Sequence, residues 1–314
     1  MTLPKDTFNA LCDIRDNPDA TPMSMPPSFY RDEQLLPVEI DEVFINGWVC
    51  VGRAEEVPDV GDYYALDLLG EPIIVTRNQA SEVVVLSNVC RHRGSQLLSG
   101  RGNNKRITCP YHRWSYDLDG KLLAAPLVDQ TEGFDKKQCK LPNFNTHVWF
   151  GWVFVNLSGT AESFENSIVG ADQYLKNYHP EELKSVEPTI EHWPLNWKCL
   201  AENFMEGYHL TPVHMKTLHP MVPTRLCEKI PGGPGYTGYK AHFNENYEGR
   251  KEVHPDMTEE ERHAMDQPVA SVHRKMVKEE EPEVVEGVEG EEGAEGEGEA
   301  AEGADDKSSE EGGD

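Results

Sequence analysis

The stretch CRHRGSQLLSGRGNNKRITCPYHRWSYDLDG, from Cys90 to Gly120, decides how the rest of the chain is read. It holds two short pairs, Cys90-Arg91-His92 and Cys109-Pro110-Tyr111-His112, with 16 residues between them. Each pair ends a run of β-forming residues, EVVVLSNVC and RITCP, so each is expected on a turn at a strand end. Paired strands set two such tips opposite each other, and the short spacings let both side chains of a tip face inward. One thiolate and one imidazole from each tip make a mixed-ligand metal site. A lone buried Cys is ordinarily a small apolar residue, but two matching pairs reverse that reading. Zn²⁺ accepts the same ligand set; zinc fingers, however, group their cysteines before their histidines on a ββα unit, whereas here the two alternate within an all-β stretch. Asp119-Gly120 closes the segment as a hairpin turn.

The β texture continues outward. GWVCVGR, DYYALDLLG, PIIVTRN, EVVVLSNVC, RITCP, RWSYDLDGKLLA and VWFGWVFVNL predict seven short strands in an antiparallel β-sandwich over residues 45–157. Residues 1–44 read as a lead-in, punctuated by Pro22, Pro26 and Pro27, with a short helix in RDEQLLPVEIDEVFING whose first turn Pro37 interrupts. Past Ser158 the periodicity turns helical. ESFENSIVGADQYLKNY and WKCLAENFMEGYHL are amphipathic helix candidates, the second ended by Pro212, and the loop PGGPGYTGY and a short helix MTEEERHAMD follow. The fold class is α+β, with a second domain over 158–278 and a tail over 279–314.

Charge separates that tail. Of a net −27 over 314 residues, Glu279 to Asp314 supply −16, from 17 Asp and Glu against one Lys, with few large apolar residues, so the tail is expected to be disordered. The remaining −11 argues against a nucleic-acid surface. The longest apolar run, Val148 to Val155, is far short of the about 20 residues that span a membrane. MTLPKDTFNALCDIRDNP carries no secretory or transit character, so a cytoplasmic address is expected. Seven scattered cysteines (12, 50, 90, 109, 139, 199, 227) are unlike a disulfide framework.

A second constellation lies in NWKCLAENFMEGYHLTPVHMKTLH, residues 196–219. Glu202, Glu206 and His209 fall at i, i+4 and i+7 on one helix face, and His214 turns back after Pro212. The neighbours Trp197, Phe204, Met205 and Tyr208 favour burial, and a buried carboxylate with two imidazoles calls for a cation. Spacing alone leaves His214 with His219 as an alternative pair.

The first motif resembles a Rieske [2Fe–2S] centre, in which two Cys hold one iron and two His the other. The resemblance implies Cys90 and Cys109 on one iron, and His92 and His112 on the other. Arg113 departs from the pattern, since many relatives place Gly or another small residue there. Tyr111 and Trp114, beside the ligands, suit either a water-excluding shell with a donor to sulfur or plain sandwich core. The string NWK-x₃-EN-x₂-E-x-YH-x₄-H looks like the catalytic segment of Rieske non-heme iron oxygenase α subunits, whose two His and a later Asp form a facial triad for Fe(II). By that resemblance His209 and His214 are metal ligands, and Glu206 is the carboxylate that bridges to a Rieske His of the neighbouring subunit. Glu at that place, where most relatives have Asp, resembles the carnitine monooxygenase branch, and the general texture resembles oxygenases of glycine betaine and choline.

The resemblance implies a Rieske sandwich joined to a helix-grip catalytic domain. It implies O₂-dependent oxidation of a small organic substrate, a quaternary amine undergoing hydroxylation or N-demethylation. Electrons from NADH or NADPH arrive through a reductase or ferredoxin, and a homotrimer brings one subunit's cluster to the next subunit's iron. The family's third iron ligand lies on the order of 100 residues past the second His, so it is expected at or past the end of this chain, where Asp256 and Asp266 are the nearest substitutes. The catalytic domain is therefore expected to be partial and C-terminally truncated. Two alternatives stand beside this reading: a Rieske electron-transfer or non-catalytic paralogue, and an aromatic-ring dihydroxylating dioxygenase.

Overall fold

The computed structural model describes residues 3, 5–16, 25–185 and 191–247, and the backbone of a strand at Val269–Ala270. The expected helix MTEEERHAMD, Asp256, Asp266 and the tail from residue 279 lie outside the described residues.

Ten strands, not seven, lie between Val49 and Asn156: β1 (Val49–Arg53), β2 (Asp62–Leu68), β3 (Glu71–Arg77), β4 (Val83–Ser87), β5 (Arg101–Asn103), β6 (Ile107–Thr108), β7 (Ser115–Tyr116), β8 (Leu122–Ala124), β9 (Asn143–Trp149) and β10 (Trp152–Asn156). Seven form one sheet in the order β1-β10-β9-β4-β3-β2-β5, and β6-β7-β8 form a second. VWFGWVFVNL is a hairpin rather than one strand. Trp149 pairs with Trp152 around Phe150-Gly151, both at positive φ (48° and 82°), the backbone that a tight two-residue turn requires. An apolar Phe at the first turn position hid it. RWSYDLDGKLLA divides into β7 and β8 at the expected Asp119-Gly120 turn, where Asp117 Oδ1 accepts the N–H groups of Asp119 (3.0 Å) and Lys121 (2.8 Å). Exposed β5 has no apolar signal and is a strand because β2 pairs it, with Asp62 opposite Asn103.

Alternation along β3 and β4 divides the interior in two. Ile73, Val75 and Val85 pack with Phe44, Val49, Val57, Val153 and Val155. Ile74 and Leu86 pack on the other side with Ile107, Trp114, Tyr116, Leu118, Leu141, Cys90 and Cys109. Fully burying one such aliphatic side chain contributes roughly 1.5–3 kcal/mol, so this second core holds the cysteine-bearing loops on the large sheet, helped by hydrogen bonds such as Asn88 N–H to Pro72 C=O (2.7 Å).

The helical elements are shorter than the sequence suggests. They are α1 (Lys5–Asp16), α2 (Leu35–Glu39) continued by a π-helical turn at Ile40–Ile45, α3 (Phe164–Ser167), α4 (Asp172–Leu175), α5 (Trp197–Phe204) and α6 (Leu210–Val213). Pro37 sits as the third residue of its helix without interrupting it, because a first-turn N–H has no partner to lose. Gly170, at φ 85°, splits the helix expected across 162–178. The helix expected to run on to Pro212 stops at Phe204, and Pro212 lies inside α6. Past the break only glycine fits at 207: a Cβ there would collide with Cys227, which opens a small sheet of β11 (Cys227–Lys229), β12 (Tyr239–Ala241) and β13 (Val269–Ala270).

The NWK triplet locks α5 in place. The Asn196 side chain caps the helix on Lys198 N–H (3.1 Å), Trp197 Nε1 donates to Glu39 (2.9 Å), and Lys198 Nζ meets both Glu39 oxygens (2.7 and 2.8 Å). Phe44 packs edge-on against Trp197 at 4.9 Å. The lead-in is thus a clamp on the second half of the chain. Among the described residues no helix is long and apolar enough to cross a membrane.

Candidate metal centres

Two similar turns carry the first constellation. In one, Gly94 N–H closes onto Cys90 C=O (3.0 Å); in the other, Arg113 N–H closes onto Cys109 C=O (3.1 Å). The closing residue is left-handed in both, Gly94 at φ 72° and Arg113 at φ 62°. Gly adopts that backbone freely, whereas for other L-residues it costs roughly 1–2 kcal/mol.

Both cysteines are buried in the second core. His92 and His112 meet edge to face with centroids 4.7 Å apart, and Trp114 stacks on His92 at 4.8 Å and 11°. His112 Nδ1 is buried with no hydrogen-bond partner, as befits a nitrogen that has a metal to meet. Burial pushes the Cys109 thiol up, but the N–H groups of His112 and Tyr111, helped by the Cys90 and Ser95 side chains, more than offset it and favour the thiolate. The residues present fit a mixed-ligand [2Fe–2S] cluster.

The donor to sulfur is Tyr116, not Tyr111. Tyr116 Oη accepts Arg91 N–H (3.1 Å) and lies 3.3 Å from Cys90 Sγ, to which it donates when that sulfur is a thiolate. Burial, then Cys90, raises the phenol and keeps it protonated. Tyr111 lies over His112 with 61% of its surface exposed. Trp114, Tyr116 and Leu118 alternate inward across β7, and that alternation was the available signal for Tyr116.

In the second constellation, a turn rather than one helix face brings Glu206 to His209. The Glu206 carboxylate bonds His209 Nδ1 and accepts the Tyr208 N–H and, at 3.3 Å, the His209 N–H. Burial pushes this carboxyl up, and these bonds, that to the His209 ring foremost, bring it below its ordinary range. With Nδ1 so engaged, Nε2 of His209 is left for a metal. His214 sits with its ring 5.4 Å from that of His209, and its Nδ1 meets Thr217 Oγ1 at 3.4 Å. His219 is engaged elsewhere, on Thr211 Oγ1 at 2.9 Å. Glu202 has left the histidines and holds the Tyr30 hydroxyl at 2.9 Å. Tyr30, Cys199, Glu202, Asn203 and Glu206 line a groove of about 340 Å³. A larger hollow of about 640 Å³, bounded by Arg77, Val83, Phe144 and Thr146, touches none of the candidate ligands.

Residues 47–144 match the Rieske [2Fe-2S] domain, and residues 172–294 match the ring hydroxylating alpha subunit catalytic domain. The carnitine monooxygenase oxygenase subunit of Acinetobacter baumannii is 34% identical over 205 residues, 64% of this chain and 55% of that protein. The glycine betaine monooxygenase oxygenase subunit of Chromohalobacter salexigens is 32% identical over 227 residues, 72% of this chain and 51% of that protein. The chain thus spans about half the length of these curated relatives. A crystal structure of the quaternary ammonium Rieske monooxygenase CntA superposes with TM-score 0.69 at 30% identity, covering 79% of this chain and 67% of that one. Two family matches in the expected order, over paired Cys–His turns and a Glu–His turn, make this chain a member of the Rieske non-heme iron oxygenase α subunits.

Proposed function

We propose that the chain is the oxygenase component of a two-part system that oxidises a small amine with O₂. In this reading Cys90 and Cys109 hold one cluster iron, His92 and His112 hold the other, and His209 and His214 hold a mononuclear Fe(II) with a carboxylate not assigned among the described residues. The buried, unpaired Nδ1 of His112 beside His92 is the observation that carries it. When bound, the cluster relays single electrons, and the mononuclear iron brings O₂ to the substrate. The chain's own residues set the conditions: Trp114 shields His92, Tyr116 supports the Cys90 sulfur, and Glu206 fixes the His209 tautomer. Electrons come from NADH or NADPH through a reductase or ferredoxin.

The proposed substrate class is the quaternary amine, by likeness to the carnitine and glycine betaine enzymes, with hydroxylation or N-demethylation as the reaction. A homotrimeric ring places each cluster against the next subunit's Glu206, and inter-subunit electron transfer is described for a quaternary ammonium Rieske monooxygenase that is 30% identical. Domain limits of 45–157 and 158–278 and a cytoplasmic address belong to the same proposal. The test is anaerobic iron and sulfide analysis with electron paramagnetic resonance, followed by reductase-coupled O₂ consumption on carnitine, glycine betaine and choline. Cys90→Ser and Cys109→Ser should lose the reddish colour and the low-average-g signal. Three irons per chain mark the oxygenase, and two mark an electron carrier; zinc without iron in protein from iron-replete cells overturns the reading.

A further inference from the structure

We infer that Arg113 seats against Glu202 on a second copy of this chain, latching the cluster tips of one subunit into the carboxylate groove of the next. The inference rests on the head-to-tail reading above and adds a contact between residues that hold no metal. Its starting point is the pair of equivalent turns. Gly94 fills the left-handed position of one, and Arg113 fills it in the other. A glycine would relax the second turn as it does the first. Within this chain the arginine recovers nothing for that strain, since its side chain is exposed and makes no hydrogen bond or ion pair among the described residues.

The surroundings extend the argument. Residues 90–95 and 109–114 contain Arg91, Arg93 and Arg113 and no Asp or Glu, in a chain of net charge −27. All three arginines are exposed. Opposite in sign is the groove, where Glu202 and Glu206 stand without a Lys or Arg partner among the described residues. Lys198, the nearby base, is buried and spent on Glu39. Glu202 takes one hydroxyl from Tyr30, and a carboxylate has about four acceptor sites, so it can also receive a guanidinium fork. Exposed aromatics flank both surfaces, Tyr111 on the tips and Tyr208 (81% exposed) beside the groove, and Tyr with Arg is a favoured interface composition. Among the described residues no tip arginine contacts either carboxylate, and the opposite charges of the two surfaces fit a second copy as the mate. An acidic redox protein is the competing occupant. The second copy is favoured because its groove adjoins His209, so the same contact that satisfies Arg113 also brings His112 towards the second metal site.

The test measures self-association by sedimentation equilibrium at low and high salt. Arg113→Glu and Glu202→Arg should each raise the dissociation constant at least about tenfold, and the double variant should return towards the parent value. Salt should weaken the parent. Arg113→Gly should also loosen association while raising the melting temperature, a combination that a merely structural arginine would not give. Visible absorbance on the same samples keeps the two readings apart: a parent without a cluster whose charge swap behaves as stated sinks the oxygenase reading alone. A cluster-loaded parent that stays monomeric, or whose association ignores Arg113→Glu, overturns the latch. Slower reduction by the reductase with unchanged self-association overturns it too and assigns the arginines to the redox partner.

Discussion

Tyr116 serves two neighbours with one oxygen, accepting the Arg91 N–H and donating to the Cys90 sulfur. A hydrogen bond to a cluster sulfur favours the more negative, reduced state. Tyr116→Phe should therefore lower the reduction potential of the bound cluster, as read by voltammetry, while leaving the Arg91 N–H unsatisfied at a loss of about 1–3 kcal/mol in urea unfolding. An unchanged potential would remove the sulfur bond. The Cys–His pairs were legible because residues that share a turn must be close in sequence. Tyr116 was not, since its role depends on strand register, Ile107 opposite Tyr116, which aims it at a cysteine 26 residues away. Tyr111 adjoins a ligand in sequence and yet faces solvent, because it sits at the crest of its turn.

Between elements, the lead-in helix and the catalytic helix are joined through Glu39. Glu39→Ala should leave Lys198 buried without its charge partner, and breaking such a pair costs about 3–5 kcal/mol; urea unfolding would read the loss, and a variant within 1 kcal/mol (about a fivefold change in the folding constant) would show that the clamp is ornamental. Another tie is Arg53, which donates to Glu55 (2.7 Å) and to the carbonyls of Pro180 (2.7 Å) and Leu183 (2.9 Å). Burial pushes the Glu55 carboxyl up, but Arg53 and the Ser185 N–H more than offset this, so it lies below its ordinary 4.5. A depressed carboxyl stabilises the fold above its unfolded pKa, and that stability fades as pH falls through the folded value. Parent and Glu55→Ala should differ by about 1.5–3 kcal/mol near neutrality, and the gap should narrow below pH 4.5. A gap that widens in acid would contradict the assigned sign. Apart from the local Arg53–Glu55 pair, these ties were not legible in sequence, because they join residues more than 100 positions apart. The helix breaks near Gly170 and Gly207 were missed for a different reason: amphipathic periodicity runs through both glycines, and nothing local in sequence marks the close approach of Cys227 that only a glycine at 207 admits.

At the scale of the whole molecule, the order of a β domain before a helical one was readable from the change in periodicity near Ser158, and the acidic tail from charge alone. The catalytic-domain match nevertheless runs on to residue 294, past the composition boundary at 279. Composition reports where apolar residues thin out, which is a different question from where a family likeness ends. The candidate residues of 196–219 were legible in sequence but not their arrangement, because Glu206 reaches His209 through a turn that periodicity reads as helix.

That turn gives the last prediction its physical basis. Glu206 is ionised at neutral pH, held there chiefly by the His209 ring against the opposing effect of burial, so it acts purely as an acceptor. Its side chain is 42% exposed, which leaves acceptor capacity facing outward, as the proposed bridge to a cluster imidazole N–H would need. Glu206→Gln keeps the length and one carbonyl oxygen but replaces the other acceptor with an NH₂ donor. The amide cannot satisfy His209, the Tyr208 N–H and an incoming imidazole together. Cluster content should therefore stay at the parent level, and mononuclear iron should be recoverable in excess Fe(II), with an affinity loss of about 10–100-fold typical of a lost partner to a metal-bound His. With that iron restored and substrate present, reoxidation of the pre-reduced cluster by O₂ should still be slowed in stopped-flow single turnovers. A slow rate that persists after iron is restored places Glu206 on the path between the metals. A rate that recovers fully with added iron confines Glu206 to orienting His209 and removes the bridge.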